Sequence, residues 1–332
     1  NYMVEVLNVK EGDRVCDPCC GSGGFLIQTF EHVQNLIDQD IHQQINTLMD
    51  DVTISESERK QRINDLLREC DKTVNGSRYH KLCHNYFFGV DANARMARTS
   101  KMNMIMHGDG HVGVYLHDGL LNVGGVYDSS FDIVLINPPF GAHVEKDMRI
   151  TDSDVPTEKE KELYTKLFGS EYLERVYNPM KEYAAKVYKD KTKGKRILEL
   201  YSIKNNNTEI LFMERCINLL KPGKCAGIVL PEGVLDNTAL EGVRKFIEKQ
   251  ARILNITSIP ADVFLSSGAN IKPSLIFIQK YHENEIPEKD YMLTVTKVTD
   301  AGISSTGLPS QNQELPIAAK EVCGFLLGTP MQ

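Results

Sequence analysis

The sequence predicts an α/β protein built on a doubly wound, mostly parallel sheet of seven strands with helical insertions. Three observations lead there. Seven short apolar runs have the length of buried strands, helical periodicity fills much of the chain between them, and the chemically distinctive residues follow the runs. Alternation of strand and helix puts ligands at the carboxyl ends of the strands.

The runs are 14–17 (RVCD), 87–91 (FFGVD), 112–117 (VGVYLH), 132–137 (DIVLIN), 225–230 (CAGIVL), 253–259 and 274–279 (SLIFIQ). After the first, Leu26, Phe30, Val33, Ile37, Ile41, Ile45 and Leu48 recur every three to four positions over 24–49, the period of one long amphipathic helix. In a second helix Ser55 and Glu58 form a capping box, Ile63, Leu66, Leu67 and Cys70 line one face, and Asn75-Gly76 supplies the stop. Residues 31–85 therefore read as a helical insertion. A second insertion, 141–207, carries TDSDVPTEKEKE and KDKTKGKR with few apolar anchors before Ile210. It is expected to be a partly mobile excursion, either solvated surface or a clamp on nucleic acid. After residue 280, Gly, Ser and Pro replace apolar periodicity, so 1–280 is expected to be the main domain and 281–332 a C-terminal extension.

A length of 332 residues with 41% hydrophobic and 25% charged residues excludes a wholly disordered chain and a bare binding module. No apolar run reaches the roughly 18–20 residues of a membrane span, and the first residues lack a signal-peptide pattern. A cytoplasmic protein with no membrane partner is expected. The net charge of −7 argues against holding nucleic acid by bulk electrostatics alone. Eight cysteines scattered through apolar or glycine-rich stretches suit a reducing compartment. Cys16, Cys19 and Cys20 lack the second pair of ligands that a tetrahedral site needs, so no metal is expected.

The first run leads into Asp17-Pro18-Cys19-Cys20-Gly21-Ser22-Gly23-Gly24-Phe25, and a helix starts at once. Glycines at such a turn let the backbone pass close to a ligand, and the helix N-terminus offers unpaired N–H groups. A simple tight turn would use them too, and the spacing is not G-x-G-x-x-G. Asp91 ends the second run, where a carboxylate can accept both ribose hydroxyls of an adenosine or cap the helix that follows. Asp118, after the third, could accept from the exocyclic amine of an adenine or cap the loop before Gly119.

The fourth run continues into Asn137-Pro138-Pro139-Phe140, whose prolines fix an extended turn and remove two backbone donors. The Asn137 carboxamide oxygen and the Pro138 carbonyl can each accept one hydrogen of a planar amino group while Phe140 stacks on the attached ring. Two acceptors favour a pyramidal nitrogen whose lone pair points at a methyl donor. The turn therefore suits methyl transfer to an exocyclic amine.

With these motifs in this order, the sequence resembles the N6-adenine DNA methyltransferases, specifically the modification subunit of Type I restriction-modification systems. DPCCGSGGF resembles the family's cofactor motif DPACGSGGF, with Cys19 where alanine is usual. GVDANARMARTSKMNMIMHG resembles its acidic cofactor strand and helix, with Asp91 where glutamate is more common. FDIVLINPPFG resembles its catalytic motif, NTEILFMERCINLLKPGKCAGIVLPEGVLDN its fifth-strand segment, and SIPADVF with KPSLIFIQK its last two strands.

The resemblance covers roughly residues 1–280. It implies an S-adenosylmethionine-dependent methyltransferase (Rossmann-like) sheet with a reversed last strand, acting on N6 of an adenine flipped out of double-stranded DNA. It implies Asn137, Pro138, Pro139 and Phe140 as catalytic residues, and Asp17, Gly21, Ser22, Gly23, Phe25, Asp91 and Asp118 as ligands of S-adenosyl-L-methionine. DNA, a specificity subunit, a second modification subunit and a restriction subunit are the implied partners. The family's Thr-Pro-containing motif ahead of the first strand is not in the sequence, so the chain is expected to be a fragment. Methyltransferases acting on RNA or protein glutamine share the Asn-Pro-Pro turn, but those resembling glutamine enzymes usually have tyrosine where this chain has Phe140. A non-catalytic assembly subunit is the other reading, and an oxidoreductase fails on the missing G-x-G-x-x-G.

Overall fold

The computed structural model describes residues 2–108, 113–261, 263, 272–287, 290–302 and 314–326. All seven runs form strands: β1 Val15–Asp17, β2 Phe87–Asp91, β3 Val114–Leu116, β4 Phe131–Ile136, β5 Leu220–Pro231, β6 Ala251–Ser258 and β7 Pro273–Lys280. Val112, placed in the third run, lies outside the described residues. An eighth strand, β8 Thr294–Lys297, corrects the expected seven, and the sheet order is β3-β2-β1-β4-β5-β7-β6-β8. β8 escapes a search for apolar runs because its TVTK residues alternate between half-buried and exposed at the sheet edge. β1 to β5 run parallel, β7 inserts antiparallel between β5 and β6, and β8 pairs parallel with β6.

Successive strand residues feed opposite layers, because side chains alternate across a pleated sheet. Along β4, Ile133 and Leu135 join one apolar layer and Val134 and Ile136 the other. A bulge between Phe131 and Ile133 lets Phe131 join the second layer out of step. The first layer buries Leu26, Phe30, Val33, Ile37 and Ile41 of the Gly24–Asp50 helix. Two segments with no clear signal in the sequence complete it: Tyr2–Val6, which packs on Glu314–Leu326, and Arg78–Asn85, capped by Ser77 accepting from the His80 N–H at 2.9 Å.

The long helix outruns the layer it packs on, and Met49 near its end is 60% exposed. Its partner, Glu56–Glu69, fully buries none of its residues: of the expected apolar face, Ile63, Leu66 and Cys70 are half-buried, with Leu66 and Cys70 packed on the first layer, while Leu67 is 52% exposed. The helix also stops at Glu69, ahead of Asn75-Gly76. Ser55 accepts from the Glu58 N–H, but the Glu58 carboxylate turns to Arg62, leaving half of the expected capping box. Arg59 fastens the pair by donating to the carbonyls of Leu48 and Asp51.

Residues 141–207 require the opposite correction. Ile150, Tyr172, Val176, Met180, Ile197 and Tyr201 are buried in the same layer as Cys16, Val90 and Val134 of the sheet. The helices Glu158–Phe168 and Asn178–Ala185 carry part of this segment. Its anchors stand between charged residues and many are tyrosines, so they produce no sustained apolar period to read. No helix among the described residues is long and apolar enough to cross a membrane.

Candidate active site

β1 pairs with β2 on one side and β4 on the other, and the order of strands reverses between β1 and β4. Loops leaving such a point diverge and open a crevice at the carboxyl edge. A cleft of about 570 Å³ lies there, lined by Pro18, Cys19, Asp91, Asp118, Asn137, Pro138, Pro139, Phe140, Met148 and Phe212 among others. Its size is within the roughly 300–1,000 Å³ of small-molecule sites. Asp91, Asp118 and the four residues Asn137, Pro138, Pro139 and Phe140 thus meet in one cleft. Asp17, Gly21, Ser22, Gly23 and Phe25 are not among its lining residues.

Those five shape the turn behind the cleft. Asp17 is buried and accepts from the Cys19 N–H at 3.0 Å; burial, with the Asp91 charge adding to it, pushes its carboxyl up to about 7. The Gly21 N–H donates to Asp91 Oδ2 at 2.9 Å, while Asp91 Oδ1 accepts from the Asn93 N–H at 2.8 Å. Asp91 therefore joins the turns after β1 and β2, and the cap of the next helix is Asn93, which accepts from Arg95 and Met96. Gly23 has φ +88°, and a Cβ there would sit 2.6 Å from Ser100 Oγ, so close packing requires glycine. Ser22 is exposed, its carbonyl accepting from Asn103, and Phe25 packs on the first layer.

The loop after β3 lies directly on the turn after β1, for a Cβ at Gly119 would be 1.8 Å from the Pro18 carbonyl oxygen. Asp118 Oδ1 accepts from the Leu120 N–H at 2.9 Å, and burial pushes its carboxyl up against the opposing pull of that N–H, His117 and Arg215.

The turn after β4 is held from both sides. Cys19 Sγ donates to the Asn137 carbonyl at 3.3 Å, and burial raises this thiol well above its usual range, so it stays a protonated donor. Thr208 Oγ1 donates to the Pro139 carbonyl at 2.7 Å. Between these two engaged carbonyls, the Pro138 carbonyl and the Asn137 carboxamide take part in no hydrogen bond among the described residues. They remain available to a ligand's N–H groups.

Sequence reasoning missed Thr208 and Arg215. Arg215 is 3% exposed and donates to the carbonyls of Gly119 and Leu121 and to the side chains of Asn122 and Asp128. It fixes the loop that carries Asp118. The available signal was a lone arginine in LFMERCINL, because a buried guanidinium must satisfy its donors locally. Among the described residues no group of three or more His, Cys, Asp or Glu could hold a metal ion, and all eight cysteines are free.

Residues 1–174 and 175–300 match the N-6 DNA methylase family model. The chain belongs to the N-6 DNA methylase family. Over 305 residues it is 21% identical to the Type I restriction enzyme EcoEI methylase subunit of Escherichia coli, covering 88% of this chain and 45% of that protein. A chain in a solved type I R-M system structure superposes with a TM-score of 0.61 at 20% identity, over 99% of this chain and 51% of that one. The Streptococcus thermophilus type I restriction-modification methyltransferase subunit gives a TM-score of 0.52 at 16% identity, over 100% of this chain and 52% of that one. These structures share the fold, and this N-6 DNA methylase chain spans about half the length of such relatives.

Proposed function

We propose that this chain carries the catalytic cleft of an adenine-specific DNA methyltransferase, the modification subunit of a Type I restriction-modification system. The observation that supports this most is the pair of acceptors, Asn137 carboxamide and Pro138 carbonyl, in one cleft with Asp91 and Asp118. When bound, S-adenosyl-L-methionine supplies an electrophilic methyl group. Asp91 fits its ribose, because each carboxylate oxygen already accepts one backbone N–H and keeps lone-pair capacity for a hydroxyl. Asp118 fits an exocyclic amine of the cofactor's adenine.

The substrate adenine leaves the duplex at a cost of a few kcal/mol, which stacking on Phe140 partly offsets. Asn137 Oδ1 and the Pro138 carbonyl then accept the two N6 hydrogens and turn the nitrogen lone pair out of conjugation. Cys19 and Thr208 keep this turn from rotating as the nitrogen changes shape. DNA, a specificity subunit, a second modification subunit and a restriction subunit complete the proposed assembly, in the cytoplasm, where free thiols stay reduced.

The test is methylation of duplex DNA by the chain with its specificity partner, read as N6-methyladenine. Asn137→Ala should lower turnover by about 10²–10³ while S-adenosyl-L-methionine affinity holds. Near-normal methylation by that variant would sink the mechanism.

A further inference from the structure

The chain is acidic overall, yet residues 186–196, KVYKDKTKGKR, hold six basic side chains and one acidic one. They form a hairpin. Tyr188 and Thr192 pair across its turn, the Tyr188 carbonyl accepting from Lys191 at 2.9 Å, and the Gly194 N–H donates to the Lys186 carbonyl at 2.7 Å. Asp190, its one acid, is taken up by the Thr192 N–H and hydroxyl. The Tyr188 ring gathers three cations, Arg149, Lys186 and Arg196, at 5.0, 5.1 and 5.8 Å from its centroid. Such stacking holds cationic stems in place without neutralising them.

Part of the charge is spent within the protein. Lys193 pairs with Asp152, and Arg196 with Asp147 and Glu199. Lys186, Lys189 and Lys191 are exposed and form no ion pair among the described residues. Clustered like charge repels itself, and a polyanion relieves that repulsion by releasing counterions.

The hairpin is also joined to the cleft wall. The Ile150 N–H donates to the Lys195 carbonyl at 2.9 Å and the Ile197 N–H to the Met148 carbonyl at 3.0 Å, and Met148 lines the cleft. Arg149 donates to the Gly194 carbonyl. The cleft wall at Met148 is thus bonded to this hairpin.

We propose that the hairpin 186–196 grips the phosphodiester backbone of the DNA from which the adenine is drawn, through Lys186, Lys189 and Lys191. This rests on the methyl-transfer reading above and names its DNA-contacting surface. The contact is to phosphates, so it positions the duplex without reading sequence.

The experiment is a titration of duplex DNA onto the full chain from about 50 to about 200 mM salt. It compares wild type with the triple variant Lys186→Gln, Lys189→Gln, Lys191→Gln. The slope of log affinity against log salt should fall in steepness by roughly 2–3, with at least a tenfold loss of affinity at the lower salt. A control variant, Lys60→Gln, Lys72→Gln, Lys81→Gln, removes the same charge from exposed positions elsewhere and should leave the slope unchanged. An unchanged slope in the hairpin variant, an equal fall in the control, or no DNA affinity in wild type overturns the inference. Calorimetry with S-adenosyl-L-methionine separates the two proposals. If wild type does not bind it but the hairpin dependence is seen, the methyl-transfer reading falls and the DNA contact stands.

Discussion

The helix pair between β1 and β2 and the segment between β4 and β5 attach to the same sheet in opposite ways. The first has the clearer periodicity and the looser attachment: its second helix fully buries no residue, and the fully buried residues of its first end at Ile41. The other has almost no readable period, yet it buries Ile150, Tyr172 and Tyr201 and supplies His143, Val144 and Met148 to the cleft. Amphipathic spacing reports that a helix has an apolar stripe. It does not report how much of the stripe finds a partner.

The strongest way to break this contrast is at Tyr172, which is fully buried. Tyr172→Ala should cost about 3–5 kcal/mol, read as a lower urea midpoint; a loss under about 1 kcal/mol would mean that the segment is a surface excursion after all. The Tyr172 hydroxyl makes no hydrogen bond among the described residues. Tyr172→Phe should therefore be neutral or stabilising, by up to about 1 kcal/mol.

Next in size is a gradient within the helix pair. Ile37→Ala, at a fully buried position, should cost about 2–5 kcal/mol, whereas Leu67→Ala should stay within about 0.5 kcal/mol. Equal losses would show that the second helix is covered in solution.

The strands and the turn after β4 were legible because their signals are local. A buried strand is a short apolar run, and Asn137-Pro138-Pro139-Phe140 constrains its own backbone. The site's supports were not legible, since they join residues far apart in the chain. Cys19 reaches the Asn137 carbonyl across 118 positions and Arg215 reaches Gly119 across 96. The role of Asp91 as a joint between turns depends likewise on Gly21, 70 positions away. β8 was missed for a different reason: its residues alternate between half-buried and exposed at the sheet edge, so its composition is mixed.

Thr208 sharpens the comparison on the functional side, because it ties the β4–β5 segment to the cleft. Thr208→Val should cost about 0.5–1.5 kcal/mol of stability and lower kcat with little change in cofactor affinity. Arg59→Ala, which unfastens the helix pair, should leave kcat unchanged. Loss of kcat in both would erase the functional distinction between the regions.

The smallest effect concerns acid. Hydrogen bonds from Arg78 and Gln44 hold the Asp40 carboxyl below its ordinary value of 3.8. A depressed folded-state value gives stability that is present above 3.8 and is lost as pH falls through the folded value. Because Asp40 is exposed, Asp40→Asn should barely lower the melting temperature at neutral pH, less still in high salt, and the gap should close in acid. A gap that widened below pH 4 would reverse the sign.

The position of β7 between β5 and β6 governs when the molecule can be completed. The centre of the sheet stays open until residue 280 has been made, because the strand that closes it is younger than both neighbours. The first helix waits for a late partner too: the Tyr2 hydroxyl bonds Thr257, 255 positions away. At bacterial or eukaryotic synthesis rates that interval is roughly 13–50 s, during which Tyr2, Met3 and Val6 have no finished layer to enter. Closure by such distant contacts makes folding slow relative to collapse. Tyr2, Met3 and Val6 therefore complete their packing only once the strand that carries Thr257 is in place.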